Sequence, residues 1–137
     1  MTNDELDSLF LEIHREIESA GSRAAEHLSR GAAPELTYPP NCGLTPAELD
    51  ALRTIRHTPV LESAMRKVFA DAAAAPIFHL LCLLDGVADP VDFDRPWSPT
   101  ALHSDENDLM LHDRLGESYW AWRERRTADW RLDTLDD

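Results

Sequence analysis

The stretch Ile77-Phe-His-Leu-Leu-Cys-Leu-Leu84 is the most apolar run of the chain, and the fold depends on it. A helix that is apolar on every side is normally buried on every side, so we expect Phe78, Leu81 and Leu84 to be almost fully buried. Eight residues of this kind also fit a central strand, and periodicity alone does not separate the two. The leucine-rich composition and the alanines at 72–75 favour a helix.

Helical signals on both sides of this run predict a mostly α, single-domain bundle of four to five helices with a long Pro-rich acidic loop. Apolar residues recur at helical spacing before and after the run. The predicted organisation is a first helix or helix pair (1–31), a loop (32–44), central helices (45–84), the acidic loop (85–104), a last long helix (105–126) and a tail (127–137).

Three local features set the predicted helix boundaries. Thr45-Pro46-Ala47-Glu48 combines a capping threonine, a proline at the first helical position and a glutamate that completes the capping box. Thr58-Pro59 begins the next helix in the same manner. Gly21-Ser22 is a weak point in the first helix, and Pro76 either kinks a helix or begins a new one.

The composition is that of a globular protein of one domain. The chain has 137 residues, 43% of them hydrophobic, and its two cysteines do not form a disulfide framework. The N-terminus is acidic where a signal peptide would be basic. The longest uncharged run, 72–84, is shorter than the roughly 20 residues that span a bilayer. We therefore expect a cytoplasmic protein, and the preference for arginine over lysine together with abundant alanine indicates a bacterial source.

The charge of the chain is strongly negative and unevenly distributed. It has 26 acidic and 13 basic residues, a net charge of -13. Residues 85–113, here called the acidic segment, hold eight acidic residues against Arg95 alone, which leaves seven net negative charges. Such charge disfavours direct binding of nucleic acid and of anionic membranes. It is compatible with a basic protein partner, a cation, or simple solubility.

The acidic segment supplies the leading functional hypothesis, a small non-enzymatic binding protein of the immunity or antitoxin type that engages a basic partner. The expected partner-binding residues are Asp85, Asp89, Asp92, Asp94, Trp97, Asp105, Glu106 and Asp108. In the alternative explanation the acidic residues do not bind a partner: Asp85 caps a helix, and the other acids are solvated or occupy turns. The spacing of residues 85–94 does not fit an EF-hand calcium loop. The oligomeric state stays open.

The alternative hypothesis is an enzyme that depends on a metal or on a His/Asp pair, using His79 with Asp108 and His112. Carboxylate and imidazole four residues apart on one helix face can bind zinc or iron. The alternative explanation for His79 is a core histidine bonded to a backbone carbonyl. Because the chain has no HExxH, no GxSxG and no Gly-rich phosphate loop, an enzyme is disfavoured, and we expect neither a cofactor nor a metal site.

Overall fold

A computed structural model describes residues 3–32, 34–36, 43–90 and 110–126. Most of these residues are helical, and none of them is in a strand. Four helices are present in the described part of the chain: α1 (Asn3–Ser29), α2 (Pro46–Arg53), α3 (Pro59–Leu84) and α4 (Leu111–Arg125). The prediction of a mostly helical protein is therefore confirmed, and the apolar run at 77–84 is a helix rather than a strand. Only residues 85–90 of the expected acidic loop belong to the described part.

The chain divides into two compact units, and the division falls inside α1 and α3. The first unit takes in residues up to Ile17 and from Ala72 onward, and the second is Glu18–Asp71. The first unit therefore contains the start of α1, the end of α3 and all of α4. The second contains the end of α1, all of α2 and the start of α3.

The first unit is built around a small apolar core. Its buried members are Leu6 and Phe10 of α1, Leu81 of α3, and Leu111 and Leu115 of α4. Each pair is four residues apart on its own helix, a spacing that places both side chains on one face. Ile13, Ile77 and Leu84 are partly buried against this cluster.

The expectation that the apolar run is buried on every side is wrong. Leu81 is 6% exposed, but Phe78 is 46% and Leu80 53% exposed, and Leu84 is only partly buried. The physical reason is that this part of α3 packs against the core on one side only, through Ile77, Leu81 and Leu84. Its other side meets solvent although its residues are apolar.

The second unit begins its short helix α2 as the sequence predicts. The backbone N–H of Glu48 donates to Oγ1 of Thr45 (3.3 Å), and the backbone N–H of Thr45 donates to the Glu48 carboxylate (2.7 Å). Both halves of the capping box are therefore formed. Thr58 likewise accepts from the backbone N–H of Leu61 at the start of α3 (3.1 Å).

Gly21 does not break α1, which is one continuous helix rather than a pair. A Cβ atom at this position would lie 2.8 Å from the carbonyl oxygen of Arg66 and 2.9 Å from the backbone nitrogen of Ala70. Those atoms belong to the backbone of α3, so Gly21 lies where α1 and α3 approach each other closely within the second unit. The local signal for a break in fact reflects close packing.

Pro76 lies inside α3 rather than at the start of a new helix. A proline has no N–H to donate, so one hydrogen bond of the helical ladder is missing there. The helix continues on both sides of it, which explains why four helices, and not five, are found among the described residues.

The last helix begins later than predicted. Met110 has an extended backbone (φ -67°, ψ 148°) and is the N-cap of α4, so the helix cannot run unbroken from residue 105. The first turn starts at Leu111. There the Asp85 side chain, which directly follows α3, accepts hydrogen bonds from the backbone N–H groups of Leu111 and His112.

Candidate functional site

The two ends of the acidic segment meet at one carboxylate. Asp85 directly follows α3, and its Oδ1 accepts from the backbone N–H of Leu111 (3.0 Å). Its Oδ2 accepts from the backbone N–H of His112 (2.9 Å) and from the ring Nδ1 of the same residue (2.7 Å). The first N–H groups of a helix have no partner within the helix, so Asp85 performs the capping that Met110 cannot.

The carboxylate of Asp85 is enclosed, with its side chain 1% exposed. Burial alone would raise its pKa, since it disfavours the charged form. The hydrogen bonds from the His112 backbone, the His112 ring and the Leu111 backbone favour the charged form, and their combined effect leaves the pKa of Asp85 below its usual range. The carboxylate is therefore held as an anion at the positive end of α4.

His112 is oriented by this carboxylate and by an aromatic ring. Its Nδ1 donates to Asp85, and its ring meets Phe78 edge to face with the ring centroids 5.7 Å apart. The Nε2 atom lies 3.6 Å from a carboxylate oxygen of Asp113, whose side chain is 57% exposed. A carboxylate that fixes one nitrogen of an imidazole leaves the other nitrogen oriented for a ligand or a proton.

The structure separates the expected partner-binding residues into three groups. Asp85 is turned inward, where its carboxylate caps α4 and its side chain is 1% exposed. Asp89 is exposed. The remaining six lie outside the described residues: Asp92, Asp94, Trp97, Asp105, Glu106 and Asp108.

The residues of the enzymatic hypothesis are not brought together in the described part of the chain. His79 is exposed on α3, so it is not a core histidine. His112 is held by Asp85, and Asp108 lies outside the described residues. Within the described ranges, no group of three or more His, Cys, Asp or Glu side chains is placed to hold a metal ion.

Two buried polar side chains in the first unit escaped the sequence analysis. His14 of α1 is 8% exposed, and its Nε2 lies 2.9 Å from the carbonyl oxygen of Leu115 and 3.0 Å from Oγ of Ser118. The carbonyl can only accept, so Nε2 carries the proton and donates. Burial lowers the pKa of His14, and the hydrogen bond to Leu115 only partly offsets this.

The second such side chain is Arg114 of α4, which is 8% exposed. It forms an ion pair with Asp7 and donates to Oδ1 of Asn3 (3.3 Å), both near the start of α1. The only sequence signal for His14 and Arg114 is a polar residue on an otherwise apolar helix face. That signal does not identify the hydrogen-bonding partner, which lies about 100 residues away in the sequence.

The outer side of α3 is the other unusual surface. By length and composition, α3 is the one helix in the described part of the chain that could cross a membrane, and 11% of its most apolar 18-residue window is buried. The uncharged run 72–84 is too short by itself, but the helix continues beyond it to Pro59. Exposed apolar side chains on this helix include Val60, Val68, Phe78 and Leu80.

Comparisons of this chain with protein family models, with curated proteins and with solved structures gave no match.

Proposed function

We propose that this chain is a small acidic binding protein, without enzymatic activity, that engages a basic protein partner as immunity and antitoxin proteins do. The observation that supports the proposal best concerns the acidic segment. Seven net negative charges lie between residues 85 and 113, and the two ends of that segment are held together by the carboxylate of Asp85.

The charge distribution favours a basic partner over other charged ligands. A surface of one sign attracts the opposite sign during diffusional encounter and disfavours partners of like charge. Nucleic acid and anionic membranes are themselves negative and would be repelled. In this proposal the contacting side chains are Asp89, Asp92, Asp94, Trp97, Asp105, Glu106 and Asp108, whereas Asp85 keeps the two ends of the segment together.

The proposal is tested with a partner isolated by affinity purification from the native organism. Association rates are then measured against ionic strength for the parent and for a variant with Asp89, Asp92 and Asp94 all changed to Asn. The parent should associate more slowly as salt rises, because about 0.15 M salt screens charges farther apart than about 8 Å. The variant should associate more slowly than the parent at low salt.

A matched control removes the same charge elsewhere. Glu16, Glu26 and Asp50 are exposed acids on α1 and α2, and changing them to Gln, Gln and Asn also removes three negative charges. Their ion pairs are exposed and contribute little to stability. If both triple variants slow association equally, total charge matters and the acidic segment does not. Parent-like rates for the first variant at every salt concentration would contradict the proposal.

One observation favours a second function, an enzyme that uses His112 with His79 and Asp108. The buried carboxylate of Asp85 orients the His112 ring through Nδ1, as partner carboxylates do for ligating and basic histidines. Elemental analysis of untagged protein separates the two functions. Stoichiometric zinc or iron that disappears in His79→Ala or His112→Ala would support the enzyme over the binding protein.

A further inference from the structure

His14 of α1 lies at the contact with α4 in the first unit. It is 8% exposed, and its Nε2 lies 2.9 Å from the carbonyl oxygen of Leu115 and 3.0 Å from Oγ of Ser118. Its ring also meets that of Tyr119 edge to face, with the ring centroids 5.6 Å apart. One imidazole of α1 thus contacts three residues within little more than one turn of α4.

The helix that His14 contacts has a small buried surface. Its buried residues are Leu111, Arg114 and Leu115, and every residue in the range 116–125 is exposed or half-buried. A helix of this length is marginal in water by itself, so α4 depends on the side chains against which it packs. A single contact such as that of His14 can therefore decide whether α4 stays packed.

The surroundings of His14 suit a neutral ring better than a charged one. Both hydrogen bonds that the ring makes to described residues use Nε2, so a second proton on Nδ1 gains no such bond there. Burial lowers the pKa of His14 and outweighs the hydrogen bond to Leu115, which raises it. The residues that α3 contributes to the core of the first unit are all apolar. The titratable or charged residues on the same sides of the other two helices are Asp7 and Glu18 of α1 and Arg114 and Tyr119 of α4, with Arg126 bonded to Tyr119.

We propose that protonation of His14 releases α4 from α1, so that their contact acts as a latch that opens in mild acid. The neutral ring holds the helix, whereas the imidazolium is stable only where water reaches it. Release uncovers Leu6 and Phe10, which share their core with two leucines of α4. The second unit, Glu18–Asp71, does not contain α4 and should keep its helices. The proposal does not depend on the proposed function.

The direction of the effect follows from linkage between protonation and opening. A group whose pKa is lower in the packed state binds a proton more readily after release. The contribution of the neutral ring is therefore complete above the unfolded histidine value of about 6.5 and decreases as the pH falls through the packed value.

Hydrogen exchange of backbone amides measures the release helix by helix. Exchange in residues 115–125 of α4 and 59–71 of α3 is followed between about pH 7.5 and about pH 5, a range that includes the unfolded histidine value. Each rate is divided by the chemical rate of an unstructured peptide at the same pH. His14→Gln can still donate to the Leu115 carbonyl but does not titrate. The matched control, His27→Gln, removes an exposed histidine from the same helix.

The equilibrium constant for opening of α4 should rise as the pH falls in the parent and in His27→Gln. The rise should not exceed about tenfold per pH unit, because a single proton is bound. In His14→Gln the constant should stay nearly level over this range. Residues 59–71 should show no such rise in any of the three proteins, and circular dichroism at neutral pH should show that all three are folded.

If His14→Gln does not fold, His14→Leu takes its place and should open α4 more readily than the parent at neutral pH, without the pH dependence. Opening of parent α4 that does not change with pH would overturn the proposal. A substituted protein that keeps the pH dependence of the parent would also overturn it, since another group would then be responsible. A parallel rise in residues 59–71 would show that the whole chain unfolds in acid and that no latch exists.

Discussion

The carboxylate of Asp85 accepts two hydrogen bonds from His112, one from its backbone N–H at 2.9 Å and one from its ring Nδ1 at 2.7 Å. The residues are 27 positions apart, and the acidic segment lies between them. A single buried side chain thus begins α4, orients a histidine and joins the end of α3 to the start of the next helix.

Asp85→Asn should lower the free energy of unfolding by about 1–2 kcal/mol, the usual cost of losing a helix cap. The amide keeps one acceptor but places an NH₂ group against the N–H groups of α4. Urea denaturation followed by circular dichroism measures the change. The matched control, Asp89→Asn at an exposed position, should stay within about 0.5 kcal/mol of the parent. Equal stabilities for Asp85→Asn and the control would show that the cap contributes nothing.

The same carboxylate should make the protein sensitive to acid. Its pKa is lowered in the folded state, so its contribution to stability is present above the unfolded pKa of about 4 and is lost as the pH falls through the folded value. Denaturation curves between pH 7 and pH 2 should therefore show a smaller acid-dependent loss in Asp85→Asn than in the parent. Parallel curves for the two proteins would contradict the contribution assigned to Asp85.

His14 should destabilise the fold at mildly acidic pH. Its folded pKa lies below the unfolded value of about 6.5, so the stability tied to the neutral ring is complete above that pH and decreases as the pH falls through the folded value. His14→Gln can still donate to the Leu115 carbonyl but does not titrate. Thermal unfolding between pH 8 and pH 5 should show a steeper fall for the parent than for the variant. A steeper fall for the variant would reverse the sign argued here.

Two glycines in helices should respond oppositely to the same substitution. Gly116→Ala in α4 adds a methyl group with nothing within 4 Å, so it should stabilise the protein by about 0.5–1 kcal/mol. Gly21→Ala places that methyl 2.8 Å from the Arg66 carbonyl oxygen and should destabilise the protein despite the better helix propensity. Melting temperatures of both variants measure the difference. A stabilised Gly21→Ala would mean that α1 and α3 separate easily at this point.

Adjacent leucines of α3 should differ sharply in their contribution to stability. Leu81→Ala removes a core side chain and should cost about 2–5 kcal/mol. Leu80→Ala changes a side chain that is 53% exposed and should cost much less. Denaturant unfolding of the two variants gives the comparison directly. Similar costs for both would show that the Leu80 side chain is covered within the folded protein.

Local signals in the sequence predicted helix boundaries well where the partners are near in the chain. The capping box of Thr45 and Glu48 lies within four residues, and the structure confirms it. Apolar spacing likewise reports which side of a helix faces a core, and the side of α1 that carries Leu6 and Phe10 is buried.

The features that sequence reasoning missed depend on distant partners. Asp85 reads as an acid at a helix end, and nothing nearby indicates that it caps a helix beginning 26 residues later. His14 and Arg114 are satisfied by residues about 100 positions away. The burial of α3 was overestimated because composition shows how apolar a helix is but not how many of its sides find a neighbour. For the candidate site, charge alone identifies the acidic segment. The hydrogen bonds by which Asp85 caps α4 are visible only in the structure.

The order in which the core residues are made has a consequence during synthesis. Leu6 and Phe10 leave the ribosome before Leu111 and Leu115, which follow more than 100 residues later. At a translation rate of about 5–20 residues per second, the buried face of α1 stays incompletely covered for roughly 5 to 20 s in each newly made chain. We therefore expect chaperones that bind nascent apolar helices to bind the apolar face of α1 during this interval. The interval ends when α4 leaves the ribosome and packs on that face.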